Sequence, residues 1–261
     1  METVLIYIFL FICGAAFASF IHVYVTRTIN GESIIKPRSH CTNCGHVLAW
    51  YELIPVVSYI ALKGKCRKCD VKIGTDALAV EIALGCLFMV VFARYGFSYE
   101  SLIGFVISMV LISIMISDFK ELIILDSTIV AGTVLYYMIT FASLGLRGIY
   151  RSLLFGVFAF VIMFLIKILG DKLFRRESLG GGDIKLAFFM GSILPYNLFL
   201  SAIIVGSMCA LPYAFYVSKS SGKRELAFGP FLVLGLLIVF LFKNDIINII
   251  GSVVELERMF L

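Results

Sequence analysis

Three aspartates lie where apolar stretches of the sequence begin or end. Asp118 and Asp126 occur in ISDFKELIILD, and Asp183 follows three glycines in SLGGGDIKLAFFM. Two carboxyl groups that share a proton can hydrolyse a peptide. The ionised group takes a proton from water, while the protonated group hydrogen-bonds the scissile carbonyl. Each acid alone is as well explained as a helix cap or an interface residue, but together they predict a hydrolytic pair.

Helix geometry limits which of these acids can pair. In a helix, Asp118 and Asp126 would lie about 12 Å apart along the axis, too far to share a proton. One of them must therefore meet an acid from elsewhere, and Asp183 at the start of another apolar stretch is the natural partner. The preceding Gly180, Gly181 and Gly182 would let a substrate backbone approach closely, although a flexible hinge is the alternative.

Two more charged residues are predicted to support the pair. Lys185 lies two residues beyond Asp183, where it would favour the ionised acid or reach a lipid phosphate. Glu81, in ALAVEIA, would orient the neighbouring polar loop or bind a substrate amine. A polar contact between helices explains Glu81 equally well.

Four cysteines form a second constellation, in the knuckles CTNC and CRKC. Four thiolates complete the closed tetrahedral site of a structural zinc, which leaves no position for a reacting water. The loop is predicted to be cytoplasmic, where thiols stay reduced, so that a pair of disulfides is the weaker alternative. The spacing therefore predicts Zn²⁺ bound by Cys41, Cys44, Cys66 and Cys69.

The elements that must position these residues are membrane helices. Of 261 residues, 61% are hydrophobic and 15% charged, with a mean hydropathy of +1.03. A helix needs about 20 apolar residues to cross a bilayer. The sequence predicts an all-α polytopic membrane protein with about eight transmembrane helices and a cytoplasmic tetracysteine zinc-binding loop. The predicted spans are 3–25, 77–95, 98–117, 121–146, 149–169, 184–195, 197–217 and 228–248.

The basic residues predict the orientation. Seventeen of the 22 Lys and Arg fall in or beside the loops on one side of the predicted spans. Positive charge marks the cytoplasmic side, so both termini are predicted to be outside and the loop 26–76 inside. The net charge of +5 is explained by this asymmetry and requires no nucleic-acid partner. The loops are 26–76, 118–120, 170–183 and 218–227.

Several motifs resemble those of the bacterial type IV prepilin peptidases. LGGGDIKL resembles the family's G-x-G-D-x-K signature, and ISDFKELIILD resembles its first aspartate block, with Asp118 leading. ASFIHV is similar to the family's GSFLNV, AFGPFLVLG to its F-G-P-F element, and the two knuckles to its tetracysteine loop. Thr42 and Leu125 stand where the family usually has proline.

The resemblance implies a membrane aspartic endopeptidase with Asp118 and Asp183 as the catalytic pair. Its substrates would be prepilin or pseudopilin precursors, cut after a glycine that ends a short basic leader at the cytoplasmic face of a bacterial inner membrane. Many family members then methylate the new N-terminus with S-adenosylmethionine. Residues 1–95 would form the N-terminal region with the putative methyltransferase part, and 96–261 the membrane-embedded peptidase domain.

Other classes of protein are also compatible with parts of the sequence. A non-catalytic membrane scaffold of a pilus or secretion assembly would use the zinc loop and would treat the acids as structural groups. A transporter could use acids at the ends of spans to relay protons. A membrane zinc metalloprotease is disfavoured because the sequence has no H-E-x-x-H motif.

Overall fold

The computed structural model describes residues 2–175, 177, 179–221 and 226–248. These residues form helices and loops, with two isolated β-bridges in the cysteine loop and no strand. The all-α prediction is therefore confirmed. The outer C-terminal end predicted beyond residue 248 and part of the last predicted inner loop lie outside the described residues.

Eight α-helices and one 3₁₀-helix make up the described fold. The 3₁₀-helix spans Trp50–Leu53 in the cysteine loop. The α-helices are α1 (Glu2–Ile29), α2 (Val57–Ala61), α3 (Asp76–Tyr95), α4 (Tyr99–Glu121), α5 (Asp126–Phe174), α6 (Gly181–Ile193), α7 (Tyr196–Ser221) and α8 (Gly229–Leu241).

The helices correspond to the predicted spans, with differences in length. Within the described ranges, five helices (α1, α3, α4, α5 and α7) are long and apolar enough to cross a membrane. α5 has 49 residues and is interrupted at Gly145, whose φ of 65° breaks the helix between the fourth and fifth predicted spans. α6 has 13 residues and begins as regular helix at Gly181, three residues before the predicted span. At 1.5 Å per residue it is about 20 Å long.

α4 is the central helix of the bundle. In the apolar 18-residue stretch of α4, 72% of the residues are buried, against 17–28% in the corresponding stretches of the other four long helices. It contacts α1, α3, α5 and α8, while α5 packs on α6 and α7 packs on α8. Glycines allow several of these helices to approach closely, as at Gly14 on Gly85 and Gly206 on Gly235. Small residues at helix contacts are typical of membrane bundles.

One end of the bundle collects the residues singled out by the sequence. The C-terminal end of α4 lies there with the N-terminal ends of α5, α6 and α8. The end of α1 joins them, because Tyr24 donates a 2.6 Å hydrogen bond to Ser127 at the start of α5. The cysteine loop is attached at the same end through α3. This shared end is called the acidic end below.

Candidate functional site

Asp118 lies in the last turn of α4 and is 5% exposed. Its Oδ2 accepts a 3.0 Å hydrogen bond from the backbone N–H of Gly229, the first residue of α8. The first N–H groups of a helix have no partner within the helix and carry partial positive charge. Asp118 is therefore held in place by the N-terminus of a neighbouring helix.

Asp183 is the third residue of α6 and is 7% exposed. Its backbone N–H donates a 3.2 Å hydrogen bond to the carbonyl oxygen of Gly180, the N-cap of the helix, and a β-carbon built on Gly180 would lie 3.3 Å from its Oδ2. Its Oδ1 is buried and has no hydrogen-bond partner among the described residues. A buried carboxylate oxygen without a partner is costly in a purely structural role. The arrangement leaves Oδ1 available to a water or a substrate.

Asp118 and Asp183 border the same cavity, which has a volume of about 870 Å³. Asp118 reaches it from the end of α4 and Asp183 from the start of α6, so acids from two separate helices face one space. The structure thus brings together one acid from the first block and the acid after the glycines. Asp126 borders the same cavity but makes a different contact, described below.

Ile124 packs between the two helix starts that hold the acids. A β-carbon built on Gly182 would lie 2.9 Å from Ile124 Cβ, and one built on Gly229 would lie 2.7 Å from Ile124 Cδ1. Both glycines are therefore needed for α6 and α8 to close on this side chain. Sequence reasoning missed Ile124, because nothing distinguishes it from its apolar neighbours in ELIIL. Gly229, within the quoted AFGPF stretch, was the available clue.

Lys185 pairs with Asp126. Its Nζ lies 2.8 Å and 2.6 Å from the two carboxylate oxygens of Asp126, and both side chains are more than half exposed. The pair separates the large cavity from a smaller one of about 450 Å³. The smaller cavity is mainly apolar and lies between the two halves of α5 and α6. Lys185 therefore lies at the cavity as the ion-pair partner of Asp126. The support that it was predicted to give Asp183 does not take the form of a direct contact.

Glu81 is a buried residue of α3 that connects to the cysteine loop. Its Oε2 accepts a 2.8 Å hydrogen bond from the backbone N–H of Val56. Val56 has a φ of 62°, uncommon for a β-branched residue, and this bond helps to hold it there. The sequence allowed Glu81 to orient the cysteine loop, to bind a substrate amine or to make a contact between helices. The observed hydrogen bond fits the first of these roles.

The four cysteines of the two knuckles converge. Sγ of Cys41 lies 3.8 Å from that of Cys69, Sγ of Cys44 lies 3.9 Å from that of Cys66, and all four are within 4.8 Å of one another. Four ligands at the Zn–S distance of about 2.3 Å would be about 3.8 Å apart in a tetrahedron. The cluster could therefore hold a metal ion of this size.

The two knuckles have the same backbone hydrogen bonds, displaced by 25 residues. Cys41 N–H donates to His46 O and Leu48 N–H to Ser39 O, while Cys66 N–H donates to Val71 O and Ile73 N–H to Gly64 O. The repeat is not evident in the amino-acid sequence, because these bonds join backbone groups and do not require particular side chains. The shared pattern directs both cysteine pairs toward one point.

Hydrogen bonds to sulfur favour the thiolate at two of the four cysteines, whereas burial and the neighbouring cysteines raise the pKa of Cys44 to about 11. The backbone N–H of Val71 and the side-chain amide of Asn43 lower the pKa of Cys69 to about 6. Backbone N–H groups of Cys44 and Asn43 also lower the pKa of Cys41. Since the thiolate is the metal ligand, these donors suit cation binding.

Glu52 is a further residue that the sequence did not single out. It is 8% exposed, and its Oε2 accepts hydrogen bonds from Ala49 N–H at 2.8 Å and from His46 Nε2 at 3.2 Å. His46 lies two residues beyond the first knuckle and its carbonyl accepts a hydrogen bond from the N–H of Cys41, so Glu52 connects the 3₁₀-helix to the knuckle. The only signal in the sequence for a role of Glu52 was its position near the first predicted knuckle.

The fold and the site define a polytopic helical membrane protein with two buried acids at one end and a four-thiolate cluster beside them. Two family models match the chain: the Bacterial Peptidase A24 N-terminal domain over residues 12–95, and the Type IV leader peptidase family over residues 105–215. The chain belongs to the type IV leader peptidase family, which places it among peptidases.

Curated relatives carry the name prepilin leader peptidase/N-methyltransferase. The chain is 34% identical to that of Myxococcus xanthus over 77% of its own length, and the match spans 60% of the relative. The Pseudomonas putida protein is 30% identical, with 80% and 74% covered. The Bacillus subtilis protein is 27% identical, with 92% and 95% covered. No solved structure matches the chain significantly.

Proposed function

We propose that the protein is a membrane aspartic endopeptidase that removes the leader from prepilins or pseudopilins, with Asp118 and Asp183 as the catalytic pair. The observation that supports this proposal is that these two buried carboxylates line one cavity of about 870 Å³, Asp118 beside the N-terminus of α8 and Asp183 in the first turn of α6.

In the proposed reaction the pair shares one proton. The ionised carboxylate removes a proton from water, whose oxygen attacks the scissile carbonyl carbon. The protonated carboxyl group hydrogen-bonds the carbonyl oxygen and stabilises the charge that develops there. The tetrahedral intermediate then collapses, the C–N bond breaks, and the nitrogen takes up a proton to leave as the new α-amine. The titration of such a pair belongs to both groups together.

The charges around the cavity fit a basic leader that ends in glycine. Among the titratable residues that line it, four are acidic (Asp118, Asp126, Glu177 and Asp183) and one is basic (Lys185). Glycine before the cut would add no side chain beside the glycines at the start of α6. The apolar smaller cavity, beyond the Asp126–Lys185 pair, is placed to receive the hydrophobic residues that follow the cut.

The proposed orientation puts the acidic end of the bundle at the cytoplasmic face of a bacterial inner membrane. The basic loops support this orientation through the positive-inside rule, with both chain ends outside. Reduced thiols in the cytoplasm would allow Cys41, Cys44, Cys66 and Cys69 to bind a structural Zn²⁺. The metal would supply cohesion to the loop, and the peptidase step uses no metal.

We include N-methylation of the freed amine in the proposal, with S-adenosylmethionine as donor. The paired activities in the relatives' names support it. Glu81 already accepts a bond from Val56, and Glu52 from Ala49 and His46, so neither acid is assigned to the cationic donor. The division into a methyltransferase part at 1–95 and a peptidase part at 96–261 belongs to the same proposal.

Intact-mass analysis of a co-expressed prepilin tests both activities. We expect the product to lack the leader mass, and a further gain of one methylene to report methylation. A prepilin with its glycine before the cut replaced by valine is the matched control and should stay uncut. Uncut wild-type prepilin beside a stably accumulated enzyme would contradict the proposed peptidase and favour the scaffold alternative.

Replacing Cys66 by serine tests the metal site. Cys66 is buried within the cluster, so we expect bound zinc to fall from one ion per chain to well below half, and cleavage to fall as the loop loses its structure. The measurement is elemental analysis of the purified protein. Cys86→Ser, an exposed cysteine of α3 outside the cluster, is the control and should keep its zinc. Full zinc content in Cys66→Ser would disprove the four-thiolate assignment.

A further inference from the structure

The cysteine loop carries an exposed apolar surface. Residues 47–62, VLAWYELIPVVSYIAL, contain one charged residue, Glu52. That acid is turned inward and is 8% exposed, while Trp50 is 75% and Ile60 66% exposed. A soluble domain shows the reverse arrangement, so this inversion indicates an apolar neighbour outside the loop. The Trp50 surface comprises the exposed side chains of Trp50, Tyr51, Leu53, Ile54, Val57 and Ile60.

The inward position of Glu52 fixes the outward direction of the Trp50 surface. Its carboxylate is held by the backbone N–H of Ala49 and by His46, two residues beyond the first knuckle. The N–H of Ala49 lowers the pKa of Glu52, so the group stays ionised and bonded. The exposure of Trp50 and Leu53 on either side is therefore built into the fold of the loop.

The Trp50 surface lies where α3 enters the membrane. Val56, in the middle of the segment, is hydrogen-bonded to Glu81 at 2.8 Å. Glu81 is the sixth residue of α3, about 8 Å along the axis from the start of that helix. A segment tied to this depth of a membrane span is at the bilayer surface.

Basic side chains adjoin the Trp50 surface. Lys63, Lys65, Arg67, Lys68 and Lys72 are all exposed and follow it directly in the sequence. One of them, Arg67, contacts the surface directly, because its guanidinium lies 5.4 Å from the centre of the Tyr51 ring and donates a hydrogen bond to the Tyr51 hydroxyl. Aromatic residues beside lysine and arginine are typical of the membrane interface.

We propose that the Trp50 surface inserts into the headgroup region of the bilayer that holds the helices, while the adjoining basic residues contact anionic lipid phosphates. Apolar faces of this kind enter the boundary between headgroups and acyl chains by about 5–10 Å. The cysteine loop would then lie flat against the membrane at the acidic end of the bundle. This inference does not depend on the cleavage reaction.

The chain offers a direct probe, since Trp50 is its one tryptophan. The full chain is reconstituted into vesicles of phosphatidylcholine and phosphatidylglycerol that contain brominated phosphatidylcholine, which quenches tryptophan on contact. We expect Trp50 fluorescence to fall about twofold or more. Bromines near the carbonyl end of the acyl chain should quench better than bromines near the methyl end, and acrylamide in the water should quench weakly.

Two variants calibrate the measurement. In Phe9→Trp with Trp50→Phe, the probe moves to an exposed position of α1 within a candidate span, where deep bromines should quench better. Val57→Ser with Ile60→Ser removes two apolar members of the Trp50 surface and should reduce the quenching of Trp50. Retained zinc in this second variant shows that its loop has folded.

Three results would overturn the proposal. One is Trp50 quenched by acrylamide like a free tryptophan analogue and untouched by brominated lipid. Another is protection of Trp50 that arises only when a prepilin is added, which would make the Trp50 surface a substrate site. In the third result, quenching by lipid is unchanged when phosphatidylglycerol is omitted and also when Lys65 and Lys68 are replaced by glutamine. This result would contradict the proposed contact with anionic lipid phosphates.

Discussion

Asp183→Asn is expected to reduce leader cleavage by about 10³-fold or more while the protein still accumulates in the membrane. Asparagine has nearly the same size as aspartate, suits the first turn of a helix, and keeps the backbone N–H bond to the carbonyl of Gly180, so the fold should be preserved. The amide cannot share or transfer the proton that the reaction requires, and a positioned acid or base contributes about 10²–10⁴-fold. The measurement is the initial rate of prepilin cleavage in detergent or vesicles, normalised to enzyme amount.

Two further variants make this prediction specific. Asp118→Asn should lose as much activity as Asp183→Asn, and the double variant should lose little more, because the two groups act as a unit. Asp126→Asn changes an exposed acid that is paired with Lys185, and surface pairs contribute little. It should stay within about tenfold of the wild-type rate. Equal losses in Asp126→Asn and Asp183→Asn would contradict the assignment of the pair.

Gly229→Ala is expected to cost about 10²-fold in cleavage rate without a change of any ionisable group. The added β-carbon would lie 3.0 Å from Asp118 Oδ2 and 2.7 Å from Ile124 Cδ1. Asp118 must then move from the N-terminus of α8, and a displacement of about 1 Å can reduce catalysis about 10²-fold. Crowding of this kind also costs about 1–3 kcal/mol of stability. Cleavage rate and thermal unfolding should be measured on the same preparation.

Matched substitutions separate displacement of the acid from general damage. Gly74→Ala makes the same chemical change in the loop before α3, where the new carbon meets nothing within 4 Å, and should retain wild-type activity. Ile124→Val combined with Gly229→Ala removes the Cδ1 contact but keeps the contact with Asp118. Stability should therefore recover more than activity. Full activity in Gly229→Ala would show that the position of Asp118 is not constrained by α8.

Much of the fold could be predicted because hydrophobic length is a direct signal in membrane proteins. The predicted spans fall in seven apolar helices, with two of them in α5, and five of these helices are long enough to cross a membrane. The four cysteines converge as their spacing required. The division at Gly145 was also implicit, since 121–146 and 149–169 were predicted as separate spans. The ends of the helices and the short length of α6 were harder to predict from the sequence, because they depend on caps and packing and not on composition.

The candidate site was predictable as a set of residue types but not as a set of contacts. The sequence required a partner for Asp183 but could not choose between Asp118 and Asp126 without the resemblance to a known family. The choice depends on the turn after α4, where Leu122 adopts a φ of 55° and redirects the chain. Two other features of the site are also tertiary contacts between elements distant in sequence. These are the ion pair of Lys185 with Asp126 and the packing of Ile124 between α6 and α8.

The short length of α6 has a consequence for the surrounding lipid. A helix of about 20 Å cannot match a hydrocarbon layer of about 30 Å. Where α6 borders lipid, a bilayer next to so short a segment thins locally, and this thinning moves the polar boundary inward. Asp183 stands at the start of this helix, so the bilayer itself would be drawn down to the carboxylates. Hydrolysis at a buried acid needs water, and a depressed membrane surface is one way to deliver it.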